Sequence, residues 1–330
     1  MMRVFSFLIF AMFSVDCLAV EPRIVKLGQV EGVSHLVIDP NTGVVFGKGT
    51  AGGFAILAGE PLQRLVDIPF VERVPLDAIP HAGVATGKNQ VRRAWLVQPT
   101  GRYDHGVLGD LIEAGALKVQ LRDGREMVYE LGDQYVFEDL TPRLADMDGD
   151  GLDEIILARS SLSEGAAVSV YRIGERQIEQ FAVSPSIGFA YRWLNPVGAG
   201  DFDADGEMDI AVVETPHLGK TLVIYGREVS RLQSIGRTGG FSTHSIGSTV
   251  LKMAVVADLN GDGVLDIVLP NGGKDRLIAV TFRGRKFVTI WEGPKGAPIV
   301  TEVLRVDIDA NGSKDILYGR KDGTVEAILQ

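Results

Sequence analysis

Short apolar runs, cut by Gly-containing or charged turns, fill the chain from about residue 90 to its end. Examples are 166–174 (AAVSVYRIG), 220–226 (KTLVIYG), 275–284 (DRLIAVTFRG) and 285–293 (RKFVTIWEG). Runs of this length, rich in Val, Ile and aromatics and bounded by turn residues, predict β-strands joined as hairpins. No segment in this stretch has the longer apolar period of a helix; the only candidate for a short helical turn is Leu108–Glu113.

The polar positions repeat as well. DMDGDGLDE, DFDADGEMD, DLNGDGVLD and DIDANGSKD begin at residues 146, 201, 258 and 307. They recur roughly every 54 residues, a period that belongs to repeat architectures. Each loop follows a strand-like run (RLA, VGAG, MAVVA, VLRV) and precedes another (EIILA, DIAVV, DIVLP, DILYG). Two further strands follow each of the first three units. The unit is therefore four antiparallel strands, which is one blade of a β-propeller. Residues 20–330 are expected to form a single all-β propeller domain of six four-stranded blades, with seven as the alternative. Asp39-Pro40-Asn41-Thr42-Gly43 is a decayed copy of the loop. The last unit offers only three strands after residue 300, so Arg23–Val30 is expected to complete it and hide an open edge.

Loop chemistry points to a cation. Side-chain oxygens stand at position 1 (Asp146, Asp201, Asp258, Asp307), position 3 (Asp148, Asp203, Asn260, Asp309), position 5 (Asp150, Asp205, Asp262, Asn311) and position 9 (Glu154, Asp209, Asp266, Asp315). Position 7 (Leu152, Glu207, Val264, Ser313) varies freely, as it would if it gave only a backbone carbonyl. Position 6 is Gly in all four. Ca2+ takes six to eight oxygens from such alternating positions, whereas Mg2+ prefers a stricter octahedron and keeps its waters. Carboxylates crowded on one turn repel one another without a cation. Up to four Ca2+ ions are expected. The first two loops, with four carboxylates each, should bind more tightly than the last two, with three. An EF-hand is excluded, because position 12 is Leu157, Val212, Leu269 or Tyr318 and the flanks are strands.

On these loops and flanks the chain resembles the FG-GAP/VCBS repeat family of integrin-α-like propellers and exported bacterial proteins. The resemblance implies Ca2+-binding blades. It implies no single function, because the family spans adhesion receptors and enzyme accessory domains.

Composition changes the picture in two places. The N-terminus carries Arg3, an apolar run at 4–15, and Cys17-Leu18-Ala19, the pattern of a signal peptide cleaved after Ala19. Lipid attachment at Cys17 is a weaker alternative, because Asp16 precedes it. An exported product, periplasmic or extracellular, would then have lost the only cysteine, so no disulfide would steady it. Net charge is −10, which argues against nucleic acid as a partner. No other run is long and apolar enough to span a membrane.

Catalytic signatures such as HExxH and GxSxG are absent. His105, Asp110 and Glu113 make one candidate acid/base or metal group, against the reading of a structural turn. His217 and His244 read as turn residues, with the alternative that they rim a common face. The expected function is a non-catalytic module, held together by structural Ca2+, that binds an unidentified protein or glycan. The alternative is an envelope hydrolase or lyase using His/Asp groups on one face.

Overall fold

Gly and Asp clusters stop each apolar run after a few residues, so the chain turns back repeatedly and pairs locally. The computed structural model describes residues 22–65 and 74–330. The expected signal peptide at residues 1–19 lies outside them. Among the described residues the structure is all-β, with a single short 3-10 turn at Arg283–Arg285. The helical turn anticipated near Leu108–Glu113 does not form: bends occupy it, and Glu113 opens a strand.

Four-stranded antiparallel meanders recur along the chain. β2 (His35–Ile38), β3 (Val45–Gly49), β4 (Gly52–Ile56) and β5 (Gln63–Leu65) form one sheet. A larger sheet of twelve strands follows. It opens with β6 (Val91–Thr100), β7 (Glu113–Leu121) and β8 (Glu126–Glu130), with β9 (Tyr135–Phe137) beside β7. Bridges from Ala78 and Ala85 lay residues 78–85 against β6 as a short inner edge. The same sheet continues through β10 (Arg143–Ala145), β11 (Glu154–Ser161), β12 (Gly165–Ile173) and β13 (Ile178–Val183). It ends with β14 (Leu194–Gly200), β15 (Asp209–Glu214), β16 (Thr221–Glu228) and β17 (Arg231–Gly239). The parallel pair Val183–Arg231 is the strand pairing that joins these last two meanders. β18 (Val255–Ala257), β19 (Asp266–Pro270), β20 (Leu277–Thr281) and β21 (Val288–Glu292) make a further sheet.

The last sheet closes the chain on itself. β22 (Leu304–Val306), β23 (Asp315–Gly319) and β24 (Thr324–Leu329) take β1 (Arg23–Gln29) as their fourth strand. β1 pairs antiparallel with β24, with Val25 opposite Ala327, as the spare N-terminal strand predicted. It covers an edge that would otherwise offer unpaired N–H and C=O groups. Just after it, Val30 and Val33 pack into a core with Leu36, Val45, Phe54, Leu317 and Val325. A chain shortened to begin at Ser34 should melt at least about 5 °C lower and self-associate. A thermal melt with size-exclusion chromatography checks this; an unchanged melt would mean that the closure contributes nothing.

Because each meander is antiparallel, its turns alternate between two ends. Turns joining first to second strands share one end with those joining third to fourth. Turns joining second to third strands share the other end with the connections between meanders. Apolar side chains of the central strands fill the space between sheets, including Ile155, Leu157, Val168, Ile210, Val212 and Val223.

Candidate functional site

The four Asp-rich loops all join first to second strands, so they lie at one end. Each loop is bounded by the pair that closes the ladder: Ala145–Glu154, Gly200–Asp209, Ala257–Asp266 and Val306–Asp315. Position 9 is thus the first residue of the second strand, and its carboxylate is carried into the protein: all four are buried.

One hydrogen-bond frame recurs in all four. The position 1 carboxylate accepts from the position 6 amide, at 2.9 Å for Gly151, 3.0 Å for Gly206, 2.9 Å for Gly263 and 2.9 Å for Gly312. The position 5 side chain accepts from position 7: Leu152 and Asp150 at 2.8 Å, Glu207 and Asp205 at 2.9 Å, Val264 and Asp262 at 2.9 Å, Ser313 and Asn311 at 2.7 Å. The position 9 carboxylate accepts from position 2: Met147, Phe202, Leu259 and Ile308. Met147, Phe202 and Ile308 are themselves buried, which pins the start of those loops to the core. The position 6 glycine is required by backbone angle alone. At Gly206 φ is +90° and an added Cβ would meet nothing within 4 Å, yet an L side chain is strained in that conformation.

With the backbone amides arranged this way, the remaining oxygens gather inward. In three loops the carboxylate oxygens of positions 1, 3 and 9 lie within 4.8 Å of one another: Asp146, Asp148 and Glu154; Asp201, Asp203 and Asp209; Asp307, Asp309 and Asp315. The third loop substitutes Asn260 for one carboxylate, and there the buried Asp266 Oδ1 has no hydrogen-bond partner. A buried acceptor left unpaired costs free energy unless something else meets it. Burial, then neighbouring loop carboxylates, pushes Glu154 and Asp209 up to about 7 and Asp266 up to about 6. Hard oxygen donors converging with buried, mutually repelling carboxylates fit a divalent cation such as Ca2+.

The loops differ in what already contacts their oxygens. Arg285 donates to Asp203 at 2.9 Å and to Asp205 at 3.4 Å, and Arg283 reaches Asp262 at 3.4 Å. In the fourth loop the free Asp315 oxygen is taken by the Gln330 amide at 3.0 Å, and Asn311 Nδ2 donates to Asp309 at 3.3 Å. The first loop has no basic partner among the described residues. The Asp39 turn keeps its carboxylate for its own amides and hydroxyl, from Asn41 and Thr42.

At the opposite end, side chains that stand far apart in sequence meet. His105 Nδ1 hydrogen-bonds the buried Glu138, which also accepts from Ser160 Oγ. Trp193 Nε1 donates to the Glu138 backbone carbonyl at 2.8 Å and its ring lies edge-on to His244, centroids 4.9 Å apart. His244 Nε2 is 2.8 Å from the Ser248 carbonyl, an acceptor only, so it carries the proton there. Its Nδ1 therefore accepts from His217 Nε2 at 2.8 Å, and the lone pair of His217 Nδ1 is left unused. Burial, followed by nearby cations, lowers His217 to about 4; burial does the same for His244, so both are neutral at pH 7.

The candidate trio of the 105–114 segment is divided differently from expectation. His105 takes Glu138, not Asp110 or Glu113. Asp110 Oδ1 accepts from the Ile112 amide at 2.7 Å, which makes it a turn residue. Glu113 is buried, with Oε1 lacking a partner, and burial among Glu138, Asp110 and Asp139 raises it to about 10. Glu138 was missed in the sequence. The signal available was an acidic pair, Glu138-Asp139, directly after the apolar strand YVF.

All-β meanders with strand-flanked acidic loops define the class: a repeat protein of propeller-like architecture. Residues 146–212 match the FG-GAP-like repeat, so that the family read from the loops holds over the first two of them. No curated protein matches the chain. Among solved structures, similarity is found to the extracellular domain of a one-component system from B. thetaiotaomicron, at 10% identity and TM-score 0.45, covering 93% of this chain and 39% of that one. The chain thus spans well under half of that protein's length. A glucose dehydrogenase is similar at 14% identity and TM-score 0.45, covering 94% of this chain and 100% of that one. No helix of the described residues is long and apolar enough to cross a membrane.

Proposed function

We propose that the chain is an exported six-bladed β-propeller, stabilised by Ca2+ in its four loops, that serves as a binding module. Three observations support the blade number: the recurrence of the four-strand meander, the inner edge at 78–85, and the closure by β1. The observation that carries the calcium reading is the shared loop frame. Its hydrogen bonds come from the loop's own backbone amides, and in the third loop they leave the buried Asp266 Oδ1 with nothing to meet. The ligands would be Asp146, Asp148, Asp150 and Glu154 with the Leu152 carbonyl, and the corresponding residues of the other three loops. Export rests on the charged, apolar and small-residue pattern of residues 1–19.

Calcium titration of the purified protein by calorimetry tests this. Asp201→Ala should remove one of the tighter sites, whereas Asp307→Ala should remove a weaker one, because Gln330 and Asn311 already engage its oxygens. The reverse order, or no calcium uptake, would count against the reading.

The meeting of His105–Glu138 with His217–His244 favours a second reading, hydrolysis or elimination on a polysaccharide or phosphate ester. His217 Nδ1 is a neutral base held in one tautomer, and His105 is oriented by a carboxylate, as a proton-transfer pair would need. Cleavage of such substrates, lost in both His217→Ala and His105→Ala, would establish it.

A further inference from the structure

We propose that the end opposite the Asp-rich loops docks an acidic, apolar-flanked peptide segment of a protein partner. This rests on the binding-module reading and gives it a surface and a ligand chemistry. The loops at that end form one connected surface. The Gly247 amide donates to Val107 O at 2.9 Å, the Tyr191 amide to Tyr103 Oη at 2.7 Å, and Ser242 Oγ to Pro216 O at 2.8 Å. Within it opens a cavity of about 790 Å³, large enough for several side chains, lined in part by His35, Ser245, Ser248, Lys274 and Lys321.

The charge of this cavity is opposite to that of the chain. Net charge is −10, yet no carboxylate is among the lining residues. Lys274 donates to His244 O at 3.0 Å, and nearby Lys220 to Gly272 O at 2.6 Å; both contacts are to backbone carbonyls. Neither lysine has a carboxylate within 4 Å among the described residues, and each lies within electrostatic reach of the other. Both stand in left-handed backbone, φ +53° at Lys220 and +57° at Lys274, where Gly or Asn would be unstrained. Lys274 at such a turn, without a carboxylate counter-ion and lining the cavity together with Lys321, fits recruitment of an anion, and Lys220 adds positive charge nearby.

The rim decides the kind of anion. Leu111, Phe189, Leu218 and Ile246 are exposed on these same loops. Ile246 lies between Ser245 and Gly247, which line the cavity, and Leu218 lies two residues before Lys220. Exposed apolar residues on loops beside a charged cavity suit a protein contact, and an acidic glycan would leave them facing water. A carboxylate-bearing peptide with Leu or Phe beside its acids satisfies both features.

Fluorescence anisotropy on the calcium-saturated full protein tests the proposal. The probes are dye-labelled decapeptides alternating Asp/Glu with Leu/Phe, the same peptides with Lys/Arg for the acids, and oligogalacturonate. Binding of the acidic peptides alone is expected. Lys274→Gly, which suits the left-handed turn, and Lys321→Ala should each weaken it at least fivefold, and Ile246→Ser with Leu218→Ser at least threefold. Arg176→Ala, in the exposed β12–β13 turn at the far end, should leave it unchanged. Equal binding of the basic peptides, binding of oligogalacturonate only, no binding of any probe, or indifference to Lys274 and Lys321 would each overturn it. Calcium-dependent melting of the same samples reports separately on the calcium-stabilised module, so failure of one is not mistaken for failure of the other.

Discussion

Treatment with EGTA is expected to lower the melting temperature by more than 10 °C. A ligand that binds only the folded chain stabilises it by mass action, about 2.7 kcal/mol per site at a hundredfold excess over Kd. Four such sites would contribute about 11 kcal/mol. A domain of this size loses roughly 0.65 kcal/mol of stability per degree near its midpoint, so the shift comes to about 17 °C. Even with the fourth loop empty, as its contacts with Gln330 and Asn311 would favour, the shift stays above ten degrees. Relief of the repulsion that buried Glu154, Asp209, Asp266 and Asp315 feel from other loop carboxylates is part of that binding free energy. Differential scanning calorimetry at pH 7.5, with and without 1 mM EGTA, is the measurement. A shift under about 3 °C, the value of a single weak site, would remove calcium from the account of stability.

Much of this was legible in the sequence because it is local. Asp at positions 1, 3 and 5 and Gly at 6 act within nine residues, so their spacing alone specifies the loop. The flanking strands were equally readable, since β10, β11 and their equivalents are single apolar runs closed by the loop itself. Partnership between distant segments was not readable. His105 and Glu138 come from different loops 33 residues apart, as do His217 and His244, 27 apart, and nothing local to Thr215–Lys220 says which loop it will face. Asp110 and Glu113 looked like partners of His105 because they were near in sequence. In the fold one serves its own turn and the other is buried out of reach. Reading an end-loop cluster requires the ring of meanders to be closed first. The carboxylate count made one inequality of the loops readable, but not the contact that Arg285 makes with Asp203 from the next repeat.

Calcium affinity and metal-free stability should respond to pH in opposite directions. Glu154 and Asp209 are raised to about 7, and Asp266 to about 6, by burial and by their loop neighbours. A carboxyl group with a raised folded-state value holds its proton in the folded chain while the unfolded chain has lost it. Without metal, the contribution of these three groups to stability is therefore greatest below about pH 4, near the unfolded values, and declines as pH rises toward 7. Calcium needs these groups ionised, so its apparent affinity should climb about tenfold per pH unit at a single loop between pH 5 and 7, then level off. Asp209→Asn separates the two effects at one position. The amide keeps a similar shape and removes a charge that Asp201, Asp203 and Asp205 repel, so the metal-free protein should melt higher than wild type at pH 7.5. The same change deletes a ligand oxygen's charge, so the calcium-loaded protein should melt lower, and one calorimetric site should vanish. Melting both proteins with EGTA and with calcium gives the crossing directly. If Asp209→Asn shifted both forms the same way, the buried carboxylate would be a packing group, and the repulsion that makes these loops require a cation would have to lie elsewhere.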